Sequence, residues 1–567
     1  MRKVRITFGC LLFLLIAGPT AARQSPFDAQ IARMSLEQRV AQMFMVTLHG
    51  SVMTEVGAEF LREWQPGGIV LFGANVGTPA AVTQLTNDFQ QTILEVGDIP
   101  LLISIDFEGG VVERLMDEGF TRYPVPAVIT AAGEEMAYRI GQAMGQELRA
   151  VGINMNLAPV ADLETNLDNP IIDRRAFGSD PEVTGRVIAA YTRGLQSQNV
   201  LATAKHFPGH GDTGEDSHAV LQSLNLSRAR LDSVELVPFA HAIDAGVGVI
   251  MAAHIHFPAL ESPPRFIPAS LSPNVITGLL RDEMGYAGLV MTDALDMNAV
   301  DLEFPFAQAA VMAVEAGVDL LATGPSINPE IAATAIQAVI DAVRAGTISE
   351  ARINESVRRI LEAKARFGAM FWQPLDPATA ADRVNAAQHT ELITALFEAA
   401  VTVAFDRNNL IPITPDRSVA IVFLGTRYQI YNECNLYDHP NIRWAAVSDS
   451  PSYDEIGRAV EAANASQTTV VFTQNAISNP AQANLVNALP QDRTIAVALL
   501  SAYDWRAYPN VAAYLATYSS WRPAVPPVCA VLFGQRPATG QLPVTLSADL
   551  LAGTRVERLA QVAAIAP

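Results

Sequence analysis

Residues 205–218, KHFPGHGDTGEDSH, place one lysine, three histidines, three acidic residues and a threonine within fourteen positions, directly after a short apolar run. Side chains that move protons and grip hydroxyls are concentrated here, and Pro208, Gly209 and Gly211 shape the backbone that carries them. Three chemistries compete for the segment. His206, His210, Asp212 and His218 are all metal-ligand types, and the first two have i, i+4 spacing. That spacing aligns two rings only on a helix, which Pro208, Gly209 and Gly211 oppose, so no metal is expected. A structural role, with side chains satisfying loop backbone groups, suits His210 and Asp212. The third chemistry is acid–base: Asp216 and His218, two apart, form a carboxylate–imidazole pair. In such a pair Asp216 orients the ring and stabilises the imidazolium, while the other ring nitrogen protonates a leaving group and later recovers a proton from water.

A proton donor of this kind needs a nucleophile opposite it. Asp293, in GLVMTDALDM, ends an apolar run whose walls exclude water, with Asp296 as the nearby competitor. Asp106, Arg114, Arg175, Lys205 and His206 supply the hydrogen bonds that a polyhydroxylated ligand takes. In DFEGG, residues 106–110, adjacent glycines let the backbone turn sharply beside a ligand, and Glu108 is either a contact or the structural partner of an arginine.

The elements that must position these groups show in the hydrophobic pattern. Apolar runs at 40–48, 68–72, 101–106, 153–160, 201–205, 247–254, 288–293 and 318–323 read as strands buried on both faces. The intervals are long enough for helices, and in 132–151 Met136, Ile140, Met144 and Leu148 fall four apart. Eight such alternations predict an α/β fold of the (β/α)8 TIM-barrel type, with an open doubly wound sheet as the alternative. Asp106, Asp162, Lys205, His254 and Asp293 each fall at the carboxyl end of a predicted strand, where barrels assemble active sites. A helical pattern over 350–367 stops at Gly368. The expected division is a barrel domain over 23–368, a linker over 369–390, and a smaller α/β layered-sheet domain over 391–567. Runs at 401–405, 419–424, 469–472, 495–500 and 528–533 read as the strands of that second domain, and 453–463 as a helix.

Half of the 567 residues are hydrophobic, enough for large cores, and a formal charge of −20 leaves no basic surface for a nucleic-acid partner. Residues 1–22 have the form of a secretory signal: Arg2, Lys3 and Arg5, an apolar core, then small residues at Thr20, Ala21 and Ala22. The expectation is a secreted or periplasmic protein with no stable membrane insertion after cleavage, because the apolar core is shorter than the ~20 residues of a membrane span. Cys434 and Cys529 are either two buried thiols or one bridge.

Taken together, these segments resemble glycoside hydrolase family 3, in its β-N-acetylhexosaminidase branch. KHFPGHGDTGEDSH carries the pattern KHFPGHG followed by DSH; DFEGGVVERL is similar to DQEGGRVQRL; NPIIDRRAFGSDP is similar to NPVIGxRSFGxDP; GLVMTDALDM is similar to GVxxSDxLxM. MAAHIHFPAL, PASLSP, RINESVRRILEAKARFG and LFGQRPATGQLPVTL extend the likeness over most of the chain. The resemblance implies a retaining exo-glycosidase that removes terminal β-linked N-acetylglucosamine from a carbohydrate substrate, using neither a metal nor an organic cofactor. Asp293 becomes the nucleophile, His218 the acid/base and Asp216 its partner; Asp106, Arg114, Arg175, Lys205 and His206 become sugar contacts. A histidine acid/base departs from the general scheme of two carboxyl groups. Val111, Asp173 and Ala176 stand where the pattern has Arg, Gly and Ser, which leaves the chemistry intact and puts the outer subsites in question. Cell-wall fragments (muropeptide or peptidoglycan) or chitin-derived oligosaccharides are the expected substrates. The alternatives are a β-glucosidase or xylosidase of the same family, a phosphorolytic enzyme, and an inactive sugar-binding protein.

Overall fold

Eight short parallel strands form the heart of the first domain in the computed structural model, which describes residues 25–216, 220–261 and 266–560. They are β1 (Phe44–Val46), β2 (Gly68–Leu71), β3 (Leu102–Ile105), β4 (Met155–Asn156), β5 (Leu201–Phe207), β6 (Val249–Ala252), β7 (Leu289–Thr292) and β8 (Leu321–Ala322). Seven lie within predicted apolar runs, and β5 extends its run of 201–205 by two residues, to Phe207. Neighbours pair in chain order, β8 returns to pair with β1, and a parallel bridge from Met291 to Leu320 joins β7 to the chain entering β8. This order is that of a TIM barrel and not of an open sheet. Side chains such as Ile69, Ile103, Val290 and Leu321 are fully buried because the barrel interior covers one face and the helical ring the other.

The ring helices follow the apolar spacing. Met136, Ile140, Met144 and Leu148 line the buried face of the helix Glu134–Ala150, and the helix Glu350–Arg366 ends just before Gly368. Residues 369–390 hold short turns and the helix Ala380–Val384, and they are tied to the barrel: Asn87 exchanges two hydrogen bonds with the backbone of Leu375, and Arg383 donates to the Ala150 carbonyl. The helix Ala386–Ala400 continues this attachment through His389, whose Nδ1 lies 2.7 Å from the buried Glu147 carboxylate.

The second domain is a six-stranded sheet of β9 (Thr402–Asp406), β10 (Val419–Leu424), β11 (Ile442–Val447), β12 (Thr468–Thr473), β13 (Thr494–Ala498) and β14 (Ala513–Ala516). Its order is β9-β14-β13-β12-β10-β11, with β9 antiparallel to β14 and every other pair parallel. One expectation is corrected here. The run at 528–533 belongs to a helix, Val525–Leu532, whose first turn holds Pro526 and Pro527. Proline lacks the N–H that a central strand needs, whereas the first helical turn leaves that group unpaired in any case. Cys434 and Cys529 form a disulfide that joins this helix to Gln429–Cys434. Among the described residues, no helix is long and apolar enough to cross a membrane; residues 1–22, with the expected signal, lie outside them.

Candidate active site

At the carboxyl end of the barrel, charged side chains from four strands converge. Asp106 follows β3 directly, and the chain then makes a tight antiparallel hairpin of Phe107–Gly109 and Val112–Glu113. Gly110, at φ +66°, allows that turn; a Cβ there would lie 2.5 Å from the Val125 side chain. The hairpin delivers Glu108 to the interior, 4% exposed, where Arg175 Nε and Nη2 donate to its two oxygens at 2.9 and 2.8 Å. Lys205, within β5 and 3% exposed, places its ammonium 2.7 Å from both Asp106 and Glu108. Arg114 approaches the other oxygen of Asp106 at 3.9 Å. Burial works to raise the Glu108 carboxyl, but Arg175 and Lys205 overcome it and hold the group well below the usual carboxylate range. Burial likewise works against the Lys205 charge, and Asp106 and Glu108 more than restore it.

A second group is built around Asp162, in the loop after β4. Its buried carboxylate accepts the backbone N–H of His206 at 3.1 Å on each oxygen, the backbone N–H of His210 at 2.7 Å, and a bond from the His206 ring Nδ1 at 2.6 Å. Desolvation opposes this charge, yet His206 and His210 keep the Asp162 carboxyl below its ordinary value. An ionised carboxylate only accepts, so His206 Nδ1 carries the proton in this bond and Nε2 is the ring's other donor or acceptor site.

Asp293 follows β7, its backbone N–H donating to the Ala252 carbonyl and its half-buried carboxylate accepting the Ala294 N–H at 2.8 Å. Burial would raise it; the fields of His206 and His254, the Ala294 bond and Lys205 together hold it lower, in the ionised form a nucleophile needs. His254 is itself buried, with Nδ1 2.7 Å from Ser270 Oγ and Nε2 3.0 Å from the Ala294 carbonyl. Asp296 accepts the backbone N–H groups of Gly324 and Ser326 and braces the loop after β8. Of the two aspartates, Asp296 is thus engaged by backbone N–H groups of a neighbouring loop, and Asp293 is the one set among His206, His254 and Lys205.

The chain beyond β5 is held from below. Asn169 Nδ2 donates to the carbonyls of His210 and Gly211 and to Thr213 Oγ1, and Asn166 donates to the Thr213 carbonyl. A Cβ on Gly211 would stand 1.8 Å from the Leu163 carbonyl oxygen, so only glycine fits. His210 Nδ1 lies 3.0 Å from Thr213 Oγ1, and burial together with His206 pushes the ring down to about 4, so it is neutral near pH 7. The structural reading of His210 fits these contacts. Asp216 closes the described part of the loop, its carbonyl accepting the Val220 N–H. His218 and the expected Asp216–His218 contact lie outside the described residues.

Asp106, Arg114, Lys205, His206 and Asp293 thus gather at one barrel mouth, and Arg175 reaches it through Glu108. Lys205 and His206, expected as sugar contacts, also carry carboxylate partners that hold them in place. Asp162 and His254 were visible as polar residues at strand ends without an assigned role; Glu108 was visible only as one of two readings.

Residues 35–363 match the model of the glycosyl hydrolase family 3 N-terminal domain. The chain is 30% identical over 392 residues to a beta-hexosaminidase A of Pseudoalteromonas piscicida, spanning 66% of this chain and 65% of that protein. It is 27% identical over 394 residues to a beta-N-acetylglucosaminidase/beta-glucosidase of Cellulomonas fimi, spanning 68% and 67%. Among solved structures, a glycoside hydrolase family 3 beta-N-acetylglucosaminidase from Paenibacillus sp. str. FPU-7 superposes with a TM-score of 0.73 at 36% identity, covering 91% of this chain and 99% of that one. With its eight-stranded barrel and its strand-end carboxylates, the chain belongs to glycosyl hydrolase family 3.

Proposed function

We propose that the protein is a β-N-acetylhexosaminidase that releases terminal, non-reducing β-linked N-acetylglucosamine with retention of configuration. The observation that carries this reading is an ionised, half-buried Asp293 carboxylate at the barrel mouth, beside the Asp106–Lys205–Glu108–Arg175 network. Asp106, Arg114 and Lys205 bind the sugar hydroxyls, with Arg175 and Glu108 fixing Lys205 and His206 lying on the Asp293 side. An Asp293 oxygen attacks the anomeric carbon as the bond to the leaving oxygen breaks, and His218, oriented by Asp216, gives its proton to that oxygen. Water then attacks the glycosyl ester, His218 takes the water's proton, and Asp293 leaves as carboxylate. No step calls on a metal or an organic cofactor. The substrates in this reading are oligosaccharides of the cell wall or of chitin, and the form of residues 1–22 supports export.

A panel of nitrophenyl β-glycosides that differ only at the sugar's 2-position tests the specificity: the acetamido substrate is expected to turn over fastest. Equal or faster turnover of the glucoside would favour the second reading, β-glucosidase, an activity included in the name of the Cellulomonas fimi relative. Asp293→Asn is expected to lower kcat by about a thousandfold or more, as loss of a covalent nucleophile does. Near-normal turnover by that variant would refute the nucleophile assignment.

A further inference from the structure

His254 lies two residues beyond β6, next to the strand β7 that Asp293 follows, and it is buried. A buried ring with two polar nitrogens is costly unless both are satisfied, and both are. The Ala294 carbonyl, 3.0 Å from Nε2, only accepts, so Nε2 carries the ring proton in that bond. Burial lowers the ring from its ordinary value against the opposing fields of Asp293 and Asp296, and a ring that is neutral near pH 7 has a single N–H. Nδ1 is therefore the acceptor, and the Ser270 hydroxyl 2.7 Å away donates to it. Ser270 is fully buried on the one-turn helix Ala269–Leu271, and its own N–H donates to the Ala253 carbonyl at 3.1 Å. The serine thus selects one tautomer of the ring.

What that tautomer grips is the turn carrying Asp293. The Ala294 carbonyl accepts the Met297 N–H at 3.1 Å as well as the imidazole, and the Leu295 N–H of the same peptide donates to the Ala322 carbonyl at the end of β8. On the other side of the Ala294 Cα, its N–H donates to Asp293 Oδ1 at 2.8 Å and restrains rotation of the carboxylate. A relay therefore runs from the Ser270 hydroxyl through the imidazole and the Ala294 backbone to the Asp293 carboxylate, and it crosses from the β6 side of the barrel mouth to the β7 side. Asp296 ties the far side of the turn to the loop after β8, and His254 is the side chain that ties the near side to the chain after β6. A ring with both nitrogens bonded to protein groups holds a neighbour in place; it does not carry protons to a ligand.

We propose that His254 is a positioning residue for glycosyl transfer to Asp293: kept in its Nε2–H form by Ser270, it fixes the Ala294 backbone that aims the Asp293 carboxylate at the anomeric carbon. This role rests on the glycosidase reading above, with Asp293 as the nucleophile. It makes the geometry of the attacking oxygen depend on a buried serine and histidine that touch no sugar.

The test uses the full chain with His254→Leu, which removes the donor, His254→Gln, whose amide N–H reaches the same carbonyl, and Ser270→Ala, which leaves the ring free to change tautomer. Thermal unfolding establishes that each variant is folded. With nitrophenyl N-acetylglucosaminide, kcat is expected to fall roughly a hundredfold in His254→Leu and about tenfold in Ser270→Ala, the scale on which a misaligned reacting group slows a reaction. His254→Gln is expected to recover most of the loss. Calorimetric affinity for N-acetylglucosamine should stay within about twofold of wild type, because Asp106, Arg114 and Lys205 stand on other strands. A near-normal kcat in folded His254→Leu, a glutamine variant no better than the leucine one, or a matching loss of N-acetylglucosamine affinity overturns the proposal. If the leucine variant does not fold, Ser270→Ala decides, since an unchanged kcat there rejects the relay. Absence of wild-type turnover, or near-normal turnover by Asp293→Asn, would overturn the glycosidase reading and this role with it, whereas an inactive Asp293→Asn beside a fully active His254→Leu rejects the role of His254 alone.

Discussion

Replacing Glu108 by glutamine tests whether the barrel mouth is held by charge. The carboxylate takes three charge-assisted hydrogen bonds, at 2.9 and 2.8 Å from Arg175 and 2.7 Å from Lys205. Glutamine keeps the shape but offers one acceptor oxygen and turns an amide NH2 toward the cations. Removing one partner from a buried pair costs about 3–5 kcal/mol, because the surviving charge stays buried. Here Lys205 keeps Asp106, and Arg175 keeps the Ile171 carbonyl at 3.3 Å, so the lower end, about 3 kcal/mol, is expected at pH 7. Urea unfolding of the full chain is the assay, because guanidinium chloride would itself screen the ion pairs. The pH dependence supplies a second check. The folded-state pKa of Glu108 is depressed, so its contribution is complete above the unfolded value of about 4.3 and is lost as pH falls toward the folded value. The stability gap between wild type and Glu108→Gln should therefore be full at pH 7 and narrow below about pH 4. A gap under about 1 kcal/mol at pH 7, or one that widens on acidification, would refute the charge-network argument.

Lys364 is fully buried and, among the described residues, its ammonium donates to the neutral Gln42 Oε1 at 2.8 Å; burial lowers it to about 7. The unfolded chain then binds more protons between about pH 7 and 10, so stability attributable to this site rises with pH over that window. Lys364→Met is expected to stabilise the protein by about 3 kcal/mol at pH 6–7, a gain that shrinks toward pH 10; a gain independent of pH would sink the explanation. Gly211→Ala drives a Cβ against the Leu163 carbonyl, so a loss of about 1–3 kcal/mol is expected from backbone displacement. Because the same loop carries Asp216 onward, turnover of glycosides with poor leaving groups should fall more than that of activated phenyl glycosides. Thermal unfolding and a leaving-group series measure both, and equal slowing across the series would detach the loop from proton transfer.

Which parts of this molecule the sequence discloses follows from the range of the forces involved. A strand buried on both faces is a local statement, so each of β1–β8 shows as an apolar run, and Asp106, Lys205, His254 and Asp293 show as the polar residues that end one. The second sheet is less legible for the same reason. β11 is an edge strand with Arg443 exposed, and β14 is only Ala513–Ala516, so neither presents a long apolar run. The Val525–Leu532 run is apolar all round because the helix is buried all round, and only its two prolines distinguish it from a strand. Pairings between charges are further removed from local pattern. Glu108 meets Arg175 across 67 residues and Asp106 meets Lys205 across 99, and nothing short-range in either segment specifies the partner. The same holds for the two aspartates after β7: position alone leaves them equivalent, whereas Asp296 is committed to the backbone of the β8 loop and Asp293 lies in the field of two histidines and a lysine. Strand ends therefore mark where chemistry can be placed, and the long-range contacts decide which carboxylate at that place is tied to backbone N–H groups and which faces charged side chains.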